Sequence, residues 1–157
     1  MKSRVNEAVR LFKEGYNCSQ AVFAAYADLF DIDQETALKI SCGFGGGFGR
    51  MREVCGTVSG MTLLAGMSNG NPDSKNQQAK KENYELVRRM AEEFKEQNGS
   101  IVCHELLGLN KPETSAAPEE RTPQYYQKRP CAELVAMAAQ IVENTLFQDK
   151  SSKFTKQ

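Results

Sequence analysis

Residues 41–66, SCGFGGGFGRMREVCGTVSGMTLLAG, constrain this chain more than any other stretch. Glycine fills five of the seven positions 43–49 and returns at Gly56, with Cys42 and Cys55 flanking the run. Inside a regular element glycine costs roughly 0.5–1 kcal/mol relative to alanine, so such a cluster belongs where backbone takes positive φ or passes close to another group. An anion is the first such group to test, because glycine-rich turns that open a helix present unpaired N–H groups. No Lys-Ser or Lys-Thr follows, as a phosphate loop requires, and Phe48 stands where the dinucleotide fingerprint counted from Gly43 needs a glycine. The remaining reading of Gly45, Gly46, Gly47 and Gly49 is a tight elbow between two helices.

Beyond the elbow, Val54, Val58, Met61, Thr62 and Ala65 recur at helical spacing. Gly56 and Gly60 lie four apart beside them, a small-residue row that lets another helix approach closely and would equally serve a homodimer. Such a helix carries Cys55 into an interior junction.

Helical periodicity also governs the rest of the chain, and no segment alternates long enough to argue for a strand. Ser3 is placed to cap a first helix with Val5, Ala8, Val9 and Phe12 on its face, ended by Gly15. Asn17, with Gln20 three residues on, forms a capping box for a second helix that carries Ala21, Val22, Ala25, Leu29 and Phe30. Asp33 caps a third that runs into Cys42. Pro72, after the Asn-Gly-Asn turn, is placed to open a long helix to about residue 97, with Val87, Met90, Ala91 and Phe94 inward. Ser100 caps a short helix around Cys103, and Gly108 ends it. Pro130 opens the last helix, whose stripe is Cys131, Leu134, Val135, Ala138, Ile141, Val142 and Thr145. Residues 109–129 hold three prolines and no periodicity, a long connection in which Tyr125 and Tyr126 either form a lid or partner contact or lie pinned to the bundle surface. The expected fold is an all-α bundle of six or seven helices in a single domain, residues 1–147, followed by a polar tail, residues 148–157.

Lys plus Arg equals Asp plus Glu at 20 each, so global charge gives no case for nucleic acid or an anionic membrane surface. No apolar run is long enough to span a bilayer, and the MKSRVNEAVR start lacks the core of an export signal, which points to the cytoplasm, where thiols stay reduced. The five cysteines, Cys18, Cys42, Cys55, Cys103 and Cys131, contain no CxxC pair. Taken singly, each reads as a small buried hydrophobe. Taken with the caps, Cys18, Cys55, Cys103 and Cys131 each fall at the start of a separate helix. The partial positive charge there favours thiolate, the form that attacks disulfides and binds soft metals. Arg50 and Arg52 add positive charge near Cys55.

These residues resemble the C_GCAxxG_C_C family of redox-active proteins. The core reads Cys55-Gly56-Thr57-Val58-Ser59-Gly60, with threonine where the pattern has alanine; Cys18 in GYNCSQAV is the leading cysteine, and Cys103 and Cys131 are the trailing ones. Cys42 lies outside the pattern and is accessory. The resemblance implies a redox role for Cys18, Cys55, Cys103 and Cys131 with an unidentified redox partner. Two chemistries fit: dithiol–disulfide exchange, making the chain a thiol-dependent oxidoreductase, or a four-cysteine site for an iron-sulfur cluster or zinc, used in electron transfer or sensing. His104, the one histidine, follows Cys103 and points about 100° away from it around the helix, a poor position for a shared ligand set but one from which it can tune a thiol or donate a proton; nothing in the sequence asks for a cysteine-hydrolase arrangement.

Overall fold

A computed structural model describes residues 1–111 and 113–148 of the chain. Among the described residues the architecture is all-α: α1 (Val5–Lys13), α2 (Cys18–Ala24), α3 (Gln34–Ser41), α4 (Gly56–Asn69), α5 (Gln77–Asn98), α6 (Cys103–Leu106), α7 (Pro123–Lys128) and α8 (Cys131–Val142). Short 3₁₀ turns follow α2 and α3, and a π turn, Glu143–Phe147, extends α8. The tail expected from Gln148 falls, after that residue, outside the described residues.

The apolar α4 and α8 form the centre, with α4 packed on α2, α5 and α8, and α8 packed also on α1. Their buried faces, Val58, Met61, Leu64 and Ala65 on α4 and Leu134, Val135, Ala138, Ile141 and Val142 on α8, meet Ala8, Leu11 and Phe12 of α1 and Met90 and Phe94 of α5. A fully buried side chain of this size contributes roughly 1.5–3 kcal/mol, so these faces fix the bundle. Gly56 and Gly60 are spent inside the chain. A Cβ at Gly60 would lie 2.9 Å from Val22 Cβ, so the small-residue row receives α2 rather than a second subunit.

Local chemistry accounts for most helix ends. The Asn17–Gln20 capping box forms in both directions, the Asp33 carboxylate accepts from the Thr36 N–H, and Gly99 closes α5 at φ +85°. Four expectations are corrected. Arg4, not Ser3, holds the N-cap position of α1; the Ser3 hydroxyl donates to Glu143 and accepts from the Val5 N–H only at 3.4 Å. Asn76, not Pro72, opens α5: the Asn71 and Asp73 side chains fold residues 71–75 into turns, and Asn76 accepts from the Ala79 N–H. Val102, not Ser100, caps α6, the Ser100 hydroxyl accepting from the Val102 N–H and donating to Glu105. The second helix stops at Ala24 and Leu29 is exposed, because Tyr26 turns fully inward and donates to Glu143 Oε1 at 2.7 Å.

Residues 109–129 are not wholly irregular, since Thr122 caps α7 and Pro123 begins it. Of the two readings for its tyrosines, packing favours the pinned one. Tyr126 donates to the Lys13 carbonyl and meets Phe12 edge-on, while Arg121 lies 4.4 Å over the Phe12 ring and 4.8 Å over Tyr125.

Candidate functional site

Cys18 is the first residue of α2, Cys103 of α6 and Cys131 of α8, and Cys55 is the N-cap of α4. Two local arrangements position three of them. An isolated antiparallel bridge joins Val54 to Val102, extended by Cys55 N–H to Ile101 O (2.8 Å), Cys103 N–H to Glu53 O (2.6 Å) and His104 N–H to Arg52 O (3.1 Å). That ladder sets the starts of α4 and α6 side by side. Asn17, which caps α2, also donates through its amide to the Cys42 carbonyl at 2.9 Å, tying Cys18 to the end of α3.

The glycine run is what passes between them. Gly46, Gly47, Phe48, Gly49 and Arg50 all have positive φ, as does Arg52, so the backbone between α3 and α4 makes a left-handed turn. Two glycines show why. At Gly47 (φ +73°) an added Cβ would stand 2.6 Å from Cys103 Cβ, and at Gly56 it would stand 2.5 Å from Cys18 Sγ. Both positions need the missing side chain so that backbone can touch the cysteines. Non-glycine residues in this region cost of order 1–3 kcal/mol each, a strain found where surrounding structure holds a site. Here the ladder and the turn hold Phe48, Arg50 and Arg52 in it.

All five cysteines are free and line one cavity of about 430 Å³, together with Asn17, Arg50, Arg52, Thr57, Arg121 and Tyr125. Cys55 and Cys103 are buried, Cys18 and Cys131 half-buried, and Cys42 is exposed at the rim. Burial pushes the Cys18 thiol up, opposed by the Gly46 N–H, and the nearby Cys103 sulfur adds to the rise. Burial, and after it the Cys18 sulfur, push Cys55 up to about 12 against the Thr57 hydroxyl 3.1 Å away. Burial and then the Cys18 and Cys103 sulfurs bring Cys131 to about 12. The expectation of thiolate-rich helix-start cysteines is thus overturned at these three. A helix start supplies at most about 2 kcal/mol, whereas burial raises a thiol by as much as ~3–5 pKa units.

Cys103 has a guanidinium in contact with its sulfur. Arg52, only 8% exposed, directs Nη1 at Cys103 Sγ across 3.7 Å, and its own strained backbone accepts from His104. Sequence reasoning set Arg52 near Cys55; the ladder turns it to Cys103. His104 is exposed and does not line the cavity. Glu119 and Arg121, which line the cavity from the segment before α7, and Glu113, which pairs with Arg50 and Arg52, carried no signal in the sequence, since no periodicity marks that segment. A four-thiol set suits zinc or an iron-sulfur cluster in donor chemistry. Its spacing does not: among the described residues no three His, Cys, Asp or Glu side chains are grouped closely enough to hold one metal ion. No helix among the described residues is long and apolar enough to cross a membrane.

Comparison with curated proteins and with solved structures finds no match. The model of one family, described as "Putative redox-active protein (C_GCAxxG_C_C)", matches residues 16–145, a span that contains all five cysteines and the left-handed turn, and the chain belongs to that family.

Proposed function

We propose that this protein is a thiol-dependent oxidoreductase that cycles between dithiol and disulfide through its cavity cysteines. The observation that carries this reading is the meeting of Cys18, Cys55, Cys103 and Cys131, from four helix starts, around one cavity, with Cys18 and Cys103 near enough to raise the cost of charge on the other two. Cys103 is the attacking sulfur, because charge that develops on it is met by Arg52. Its thiolate attacks an external disulfide, forming a mixed disulfide and releasing one thiol. Cys18 then attacks the Cys103 sulfur, releasing the second thiol and leaving a Cys18–Cys103 disulfide. Two protein thiols are oxidised and one external disulfide is reduced to two thiols, the protons of Cys103 and Cys18 passing to the leaving groups. Cys55 and Cys131, each near enough to Cys18 to feel its charge, then receive the disulfide from it. A reducing compartment such as the cytoplasm suits this reading, since it returns the disulfide to the dithiol form.

The second reading, a four-cysteine metal site, draws support from the number and type of donors but requires the sulfurs to draw closer together. Anaerobic purification followed by metal analysis, an absorption spectrum and a thiol count separates the two. The dithiol reading expects metal-free, colourless protein that loses thiols in pairs on mild oxidation. Stoichiometric iron with visible bands, or one zinc per chain, would replace it with the metal reading. Full thiol recovery after oxidation, without metal uptake, would leave the cysteines structural.

A further inference from the structure

The charge of the cavity wall is unbalanced. Its charged lining residues are Arg50, Arg52, Arg121 and Glu119, three cations to one anion. Arg121 is committed to the fold: its Nη1 and Nη2 donate to the Phe12 and Tyr16 carbonyls, both at 3.1 Å, and its plane lies on aromatic rings. Arg50 and Arg52 are held more loosely. Arg50 donates to the Ser115 carbonyl at 2.7 Å, but its ion pairs with Glu113 and Glu119 are 3.5 and 3.7 Å long. Arg52 reaches the same Glu113 only at 3.7 Å, and its Nε is buried with no hydrogen-bond partner among the described residues. A charge-assisted N–H···O bond is normally about 2.7–2.9 Å long, so Glu113 occupies a carboxylate seat between two guanidiniums without filling it. A buried donor left unpaired is costly, and a better-placed carboxylate would remove that cost.

Resting on the dithiol–disulfide reading, we infer that the cavity binds a small organic disulfide bearing a carboxylate, which Arg50 and Arg52 receive in place of Glu113 while the disulfide meets Cys103. The cavity's roughly 430 Å³ lies in the range of small-molecule sites, about 300–1,000 Å³, and is far too small for a folded protein. The bond changes are those already written, with the small disulfide as the oxidant: a Cys103–substrate bond forms as one carboxylate-bearing thiol leaves, and Cys18 displaces the other.

The test follows loss of protein thiols from the reduced chain with three disulfides of similar size: dithiodiglycolate, which carries two carboxylates, neutral hydroxyethyl disulfide and cationic cystamine. A cleft of one charge sign raises encounter rates by about 10-fold or more, so dithiodiglycolate is expected to react at least about tenfold faster than the neutral compound, with cystamine slowest. Glu113→Gln, which removes the competing charge from the seat, is expected to raise the ratio of the dithiodiglycolate rate to the hydroxyethyl disulfide rate. Arg52→Gln is expected to collapse the ratio between the two, a readout in which any general loss of Cys103 reactivity cancels. Equal rates for all three compounds, or a preference for cystamine, would overturn the inference while leaving thiol exchange standing. Failure of even hydroxyethyl disulfide to oxidise any cavity cysteine would overturn both.

Discussion

Gly47 and Gly56 let the backbone touch the sulfur-bearing side chains, and replacing either inserts a methyl where no space exists. Gly47→Ala combines a left-handed φ with contacts of 2.6 Å to Cys103 Cβ and 2.8 Å to Arg52 Cα, neither of which can swing aside. Left-handed strain of about 1–2 kcal/mol and overpacking of about 1–3 predict a loss of roughly 2–5 kcal/mol, read as a lowered urea midpoint. Gly49→Ala, where nothing lies within 4 Å, should cost only the strain. Equal losses for the two would show that closeness to Cys103 is irrelevant. Exposure orders the cysteines as well. Brief iodoacetamide treatment of the native chain should label Cys42 first and Cys55 last, with peptide mass analysis as the check.

At the scale of single elements, Asn17 does two jobs: it caps α2 through the Gln20 N–H, and it fastens α2 to α3 through the Cys42 carbonyl. Asn17→Ala should cost about 1–2 kcal/mol. Asn17→Asp keeps the capping oxygen but loses the amide donor, and should fall between Ala and the native residue on urea denaturation. An Asp variant no better than Ala would mean that the cap contributes nothing measurable. Elements of this kind were legible in the sequence because a cap is a local event: Asn17, Asp33 and Gly99 act on residues three or four away. Ser3 and Pro72 misled because a competitor lay elsewhere, Glu143 across the bundle for the first and the Asn76 side chain for the second. Helix α7 escaped notice because six residues are too few to show a period, although Thr122-Pro123 is an N-terminal signature. The positions of the four cysteines at helix starts were readable by the same logic. Their burial and the pairing of Arg52 with Cys103 were not, since both depend on the ladder at Val54 and Val102 and on the handedness of the glycine turn.

Across the whole molecule, the buried thiols tie stability to pH. Cys55 and Cys131 hold their protons to about pH 12 in the fold, against an ordinary value of 9.0. Between those values the folded chain binds more protons than the unfolded one, so the stabilisation is complete below about pH 9 and is lost as pH rises towards 12. Each thiol contributes a slope of up to ~1.4 kcal/mol per pH unit in that window. Urea midpoints of the reduced chain should be level from pH 7 to 8.5 and fall between 9 and 10, more gently for Cys55→Ala; a flat profile through pH 10 would contradict the burial of these groups. The central claim is that sulfurs far apart in sequence, joined by one cavity, exchange a disulfide among themselves. The most direct measurement is mass mapping of linked peptides after anaerobic, stoichiometric oxidation of the reduced chain. The account predicts an intramolecular bond joining Cys18 to Cys103, or the same bond passed on to Cys55 or Cys131, with two thiols lost per chain. Links only between chains, or through Cys42 alone with the other four still free, would contradict it.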